Sequence, residues 1–280
     1  MNKTNMKRLF PWVCALLLLS GAGVANAQWV AFWDYVRGSG TSNTVATVPQ
    51  IVANNSVTVA LTNIATGTVL PVSVTMNSSA TGIGNGGSAS NAFPGTPAYN
   101  TFYGFVDFHD GGIELIESAG GAVSLVINGL NPNKKYSFIG TAIRGGHVGS
   151  TTNVIRPYTN RWTRCTLNNA LNFANAHTAN VRTAAQDPTL GSNEAAFNSG
   201  LNSDSTNGDF VAWYNIVPNP AGQIVVLSRQ YTNGQDGSVI GVESPFKGYG
   251  IAGFRLEEYE GLRPVTNRVV DLIAGCCKTG

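Results

Sequence analysis

The sequence predicts an all-β fold, a sandwich or barrel of antiparallel strands, from three observations. Gly, Asn, Ser and Thr are abundant while only 11% of residues are charged, a composition that suits turns and solvated strands better than helices. Short apolar or alternating runs follow one another for most of the chain, as strands do. Turn residues separate those runs at Asp110-Gly111-Gly112, Asn131-Pro132-Asn133 and Asn219-Pro220-Ala221-Gly222. An apolar share of 43%, with Trp29, Trp33, Trp162 and Trp213, supplies the core that a disordered chain lacks.

Eleven candidate strands emerge in order. The first, 29–36, places Trp29, Ala31, Trp33 and Tyr35 on one face, as a buried strand does. Runs at 56–64, 69–76, 102–108, 113–116, 122–127 and 136–144 follow, with Asp110-Gly111-Gly112 closing a hairpin onto 113–116. In 161–167, Arg161, Thr163 and Cys165 alternate against Trp162, Arg164 and Thr166. The runs 210–217 and 223–231 are rich in β-branched residues and flank a tight turn. In the last, 249–258, Phe254 and Leu256 share a core face while Arg255 and Glu257 share a wet one. Residues 81–101 and 186–208 read as long polar loops, the second preceded by a short helix over 170–185, and long loops on a sandwich are where binding concentrates.

Compartment is read from the first 27 residues. Basic Lys3, Lys7 and Arg8, an apolar run of about ten residues and a small-residue close at Ala25-Asn26-Ala27 spell a secretory signal peptide, the run being too short to span a bilayer. The expected organisation is a signal peptide at 1–27, one β-sandwich domain at 28–260 and a tail or truncated linker at 261–280, in a chain that is secreted or held in the periplasm or at the cell surface. The leader takes three of the 17 basic residues and none of the 15 acidic ones, so the exported part carries one more acid than base. Nucleic acid is accordingly a poor partner. No apolar run of about 18 residues follows the leader, so no membrane span is expected. Cys14 leaves with the leader, and Cys165, Cys276 and Cys277 are an odd number that cannot pair fully within one chain.

Three runs carry a family resemblance: Ser124-Leu-Val-Ile-Asn-Gly-Leu-Asn-Pro-Asn-Lys-Lys-Tyr-Ser-Phe138, Gly208-Asp-Phe-Val-Ala-Trp-Tyr-Asn-Ile-Val-Pro218 and Gly250-Ile-Ala-Gly-Phe-Arg-Leu-Glu257. They resemble galactose-binding-like jelly-roll domains of secreted bacterial proteins. That resemblance implies an antiparallel two-sheet β-sandwich, commonly a carbohydrate-binding accessory module, sometimes with a structural calcium ion. A fold of this kind hosts many functions, so the ligand must be argued from a site.

Between Glu117 and Asp187 the chain holds Lys134, Lys135, Arg144, Arg156, Arg161, Arg164 and Arg182 with no acid among them. His147, Tyr158, Asn160 and Trp162 are interleaved. Aromatic faces stack on pyranose rings while Arg and Asn bond hydroxyls and carboxylates, so Arg144, His147, Tyr158, Asn160, Arg161, Trp162 and Arg164 are the candidate ligand-binding residues, with an acidic glycan as the best-matched partner. The alternative is an ordinary strand whose basic residues are solvated. Asp107 and His109 share a strand face without a third catalytic partner, and the three histidines lack zinc spacing. Glycosidase chemistry requires two converging carboxylates, for which Glu114 with Glu117, or Glu243 with Glu257, are the candidates. The sequence thus points to a non-catalytic carbohydrate-binding module for a polysaccharide or cell-surface glycan. A structural or adhesive envelope protein with protein neighbours is the alternative.

Overall fold

The structure, a computed structural model, describes residues 27–35, 47–48, 56–86, 91–108, 112–116, 119–143, 161–200, 202, 207–231 and 247–261. Fifteen strands and one short helix lie among them. In order they are β1 (Ala27–Tyr35), β2 (Thr47–Val48), β3 (Ser56–Thr62), β4 (Val69–Ser78), β5 (Ile83–Gly86), α1 (Pro97–Phe102), β6 (Gly112–Leu115) and β7 (Ala122–Asn128). There follow β8 (Lys135–Thr141), β9 (Trp162–Asn168), β10 (Ala170–Asn175), β11 (Glu194–Asn198), β12 (Val211–Pro218), β13 (Ile224–Gln230), β14 (Gly248–Tyr249) and β15 (Gly253–Tyr259).

The fold is an all-β sandwich. A first sheet has the order β10-β12-β8-β15-β1-β2 and a second β11-β9-β13-β7-β4-β3, while β14-β6-β5 form a small third sheet. Pairing is antiparallel throughout except between β1 and β2. The facing sides of the two large sheets make the core. From the first sheet come Trp33, Phe138, Trp213, Phe254 and Leu256, and from the second Val74, Met76, Leu125, Ile127, Cys165, Leu167 and Val226, all essentially buried. The first sheet's aromatics run across its strands: Trp33 stacks on Phe254 at 5.3 Å, Phe254 meets Phe138 at 5.1 Å, and Phe138 meets Trp213 at 6.1 Å. These separations place each pair within the range where rings attract beyond simple area burial.

Turn chemistry fixes the register. At the β12–β13 turn the Asn219 carbonyl accepts from the Gly222 N–H (2.9 Å) and its side-chain oxygen from the Gln223 N–H (2.9 Å). Gly222 has φ +68°, and a Cβ there would stand 2.2 Å from the Leu130 carbonyl oxygen, so only glycine fits. Asn215 is left-handed at φ +55° within a register break of β12 against β8. Its N–H donates to the Tyr259 hydroxyl at 2.5 Å, tying this irregularity to β15.

The first sheet is covered on its outer side as well. Phe32 stacks on Phe105 (4.5 Å) and meets Phe102 edge-on (6.4 Å), while Val106 and Phe108 close over Gly253. The expected wet face of the last strand is therefore corrected: Arg255 and Glu257 are 7% and 1% exposed. They form an ion pair with each other, with Ser137 donating to Glu257 (2.7 Å) and the Arg255 guanidinium lying over Phe32. A buried charge persists only when paired and hydrogen-bonded in this way.

Four other expectations are corrected. The 249–258 run is two strands, β14 in the third sheet and β15 in the first, because the Gly250 N–H bonds Ile113 and the Ala252 N–H bonds Thr141, carrying the chain from one sheet to the other. The 102–108 run is the end of a helix and its following turns: Thr96 accepts from the Tyr99 N–H as N-cap, Pro97 opens the helix, and Phe102, Phe105 and Phe108 recur at three-residue spacing onto the first sheet. The loops 81–101 and 186–208 contain β5, α1 and β11. The helix expected over 170–185 is instead β10 followed by turns, since pairing with β12 outweighs the alanine content.

Candidate functional site

Strand β9 positions the sequence-predicted site. Its burial alternates, with Thr163, Cys165 and Leu167 inward and Trp162, Arg164 and Thr166 toward the outer face of the second sheet. Arg161, on the inward side, is 5% exposed. Its Nη1 donates to the Tyr249 hydroxyl (2.5 Å) and lies 3.8 Å from Glu114 Oε1, whose other oxygen accepts from Lys247 (2.9 Å). Arg161 thus locks β9 to the third sheet. Arg144, His147, Tyr158 and Asn160 lie outside the described residues, as do Arg156, His109, Glu117, Glu243, Cys276 and Cys277.

The outer face of the second sheet presents the basic and aromatic chemistry. Arg164 and Arg229 are direct cross-strand partners on β9 and β13, and Arg229 is exposed. Like charges opposite one another in a sheet repel. Glu194 on β11 takes part of Arg164, with its Oε1 3.8 Å from Nε and 2.9 Å from the Thr166 hydroxyl. Beside them the Arg182 guanidinium lies 4.1 Å from the centre of the Trp162 ring, an arrangement worth roughly 0.5–2 kcal/mol, and Tyr231 meets Trp162 edge-on at 6.4 Å. Tyr231 donates to Asp187, which together with Thr189 holds that carboxyl below its ordinary range. Arg182 and Arg229 complete this face, and the register across β9 and β13 that joins Arg229 to Arg164 is invisible before the pairing is known. The motif Arg182-x-x-x-x-Asp187 close to Trp162 carries no sequence signal of its own.

The catalytic candidates are engaged structurally. Glu114 is held by Lys247 and Arg161, Glu257 by Arg255 and Ser137, and Asp107 accepts from the Asn91 side chain (2.9 Å). Among the described residues no group of three or more His, Cys, Asp or Glu side chains is placed to hold a metal ion. Cys165 is buried and its thiol is pushed up to about 12 by burial, which leaves it unreactive. No helix among the described residues is long and apolar enough to cross a membrane.

The fold and this face together define a β-sandwich whose second sheet is covered at its β11 edge by Leu190, Ala196, Tyr231 and Trp162, with the Arg164–Arg229 pair beside that cluster. Compared with known families, with curated proteins and with solved structures, the chain finds no match.

Proposed function

We propose that this chain is an exported, non-catalytic β-sandwich module that binds an acidic polysaccharide on the outer face of its second sheet. The observation that carries the reading is the Arg164–Arg229 cross-strand pair on an outward-facing surface beside Trp162 and Arg182. A carboxylate or sulfate group bridging the two guanidiniums relieves their repulsion and gains charge-assisted bonds. The ring of Trp162, under Arg182 and packed against Leu190, Ala196 and Tyr231, backs the end of the same row. Arg161 belongs to the support of this surface rather than to its contacts.

Native gels cast with an acidic or a neutral polysaccharide test the reading. Acidic gels are expected to retard the domain, with retardation fading as salt rises. The Arg164→Ala/Arg229→Ala double variant should weaken retention by roughly 10- to 100-fold, the scale of one or two charge-assisted hydrogen bonds. Equal retention of variant and wild type would remove the site.

A second reading, a structural or adhesive protein that packs against protein neighbours, is favoured by one observation. The edge strands β3 and β10 carry no charged residue, and Val69 and Leu171 nearby are 65% and 67% exposed.

A further inference from the structure

On the other side of the sandwich, α1 and its following turn carry two tyrosines four residues apart, Tyr99 and Tyr103. Their rings stack at 4.4 Å with an interplanar angle of 22°. Tyr103 is 64% exposed, while Tyr99 packs partly against the core behind it. One face of the Tyr103 ring is thus supported by Tyr99, and the ring is presented to solvent by a rigid backing. A surface depression with no interior room for a water molecule lies beside the pair, bordered among others by Asn91, Tyr99, Tyr103 and Phe108, so a ligand would lie across it. Asn91 is fixed there: its Nδ2 donates to Asp107 Oδ1 (2.9 Å) and its Oδ1 accepts from the Phe108 N–H (2.9 Å).

A preorganised aromatic face loses little entropy on binding, and the Asn91 amide at its edge has both donor and acceptor atoms. A pyranose has the matching surface, with C–H bonds for the ring and hydroxyls for the polar edge. Among the described residues no lysine or arginine lines the depression, and the Asp107 carboxylate is bonded to Asn91, so a uronate or sulfated sugar is disfavoured. We propose that Tyr103, backed by Tyr99 and flanked by Asn91, is a stacking platform for a neutral hexopyranose of a polysaccharide. This site is separate from the arginine face and does not depend on it: α1 covers the outer side of the first sheet, whereas Arg164 and Arg229 lie on the outer side of the second.

The experiment is migration of the mature domain through native gels cast with a neutral glucan, mannan or galactan, comparing wild type with Tyr103→Ala, Tyr103→Phe and the Arg164→Ala/Arg229→Ala variant. At least one neutral gel should retard the wild type. Tyr103→Ala should weaken that retention roughly tenfold, the scale of one aromatic contact, while Tyr103→Phe retains it. The arginine variant should migrate as wild type in that gel, which separates failure of this site from failure of the acidic one. Because Tyr103 is exposed, its variants should unfold at the wild-type temperature, so a lost retention is a lost contact. Unretarded wild type in all three gels, or equal retention of Tyr103→Ala, overturns the proposal.

Discussion

His177 shows how a single imidazole makes stability depend on pH. Its Nδ1 accepts from the Ala212 N–H (2.9 Å), its ring stands edge-on to Trp213 at 5.3 Å, and burial pulls its pKa from 6.5 down to about 4. Nδ1 is committed as an acceptor, so the folded state requires the neutral ring. The unfolded chain binds a proton near pH 6.5 and the folded one only near pH 4, so this contribution is complete above pH 6.5 and is lost as pH falls toward 4, by about 3 kcal/mol in all. Asp209 works in the opposite sense, because burial raises its carboxyl and favours the folded state as acid is added. Thermal unfolding followed from pH 7 to 4 should therefore fall less steeply in His177→Gln than in wild type. Parallel curves would remove His177 as the cause. Neither the depressed histidine nor the raised aspartate was legible in the sequence, where His177 stands in a polar, alanine-rich stretch and its burial depends on β10 lying beside β12.

At the scale of elements, legibility followed how local the determining interaction is. The strands flanking Asn131-Pro132-Asn133 and Asn219-Pro220-Ala221-Gly222 are found where alternation and turn residues place them, because both signals act within a few residues. β10 and β11 were hidden, since their strand character comes from pairing with β12 and β9 rather than from their own residues. α1 was missed because its Thr96-Pro97 start falls in a stretch rich in turn residues that reads as loop, and the aromatic run after it also fits a strand. The wet face assigned to Arg255 and Glu257 failed because alternation separates two faces without saying what covers the second. That pair yields a sharp expectation. Arg255→Ala leaves Glu257 buried without its main counter-charge and should cost about 3–5 kcal/mol, whereas Arg255→Met/Glu257→Leu, which removes both charges at similar volume, should recover most of the loss. Urea denaturation of the three proteins checks this, and an equally unstable double variant would mean that the pair organises more than its own charges.

For the whole molecule, the open question of association is decided by sheet edges. The first sheet ends in β10 and β2, the second in β11 and β3. β11 carries Glu194 and is bridged at Ala196 by Arg182, β2 is two residues long, and β10 shifts register twice against its neighbour. Charge, shortness and bulging are the devices by which edges avoid pairing with other chains. β3 has neither charge nor shortness, and its one register shift against β4 is confined to its end, between Ala60 and Thr62: Ser56-Val-Thr-Val-Ala-Leu-Thr62 is uncharged, seven residues long and in regular register from Ser56 to Ala60. Thr58 faces outward there, with its hydroxyl 2.8 Å from that of Thr75. Weak concentration-dependent dimerisation through β3 is the expected behaviour, and Thr58→Lys, which sets a charge in the middle of that edge, should restore a monomer without altering the core. Sedimentation equilibrium across roughly a hundredfold concentration range reads both, since a dimer that vanishes in the variant locates the contact. A wild type that stays monomeric throughout would remove the observation favouring an adhesive or structural role and leave the two proposed polysaccharide-binding faces as the readings to test.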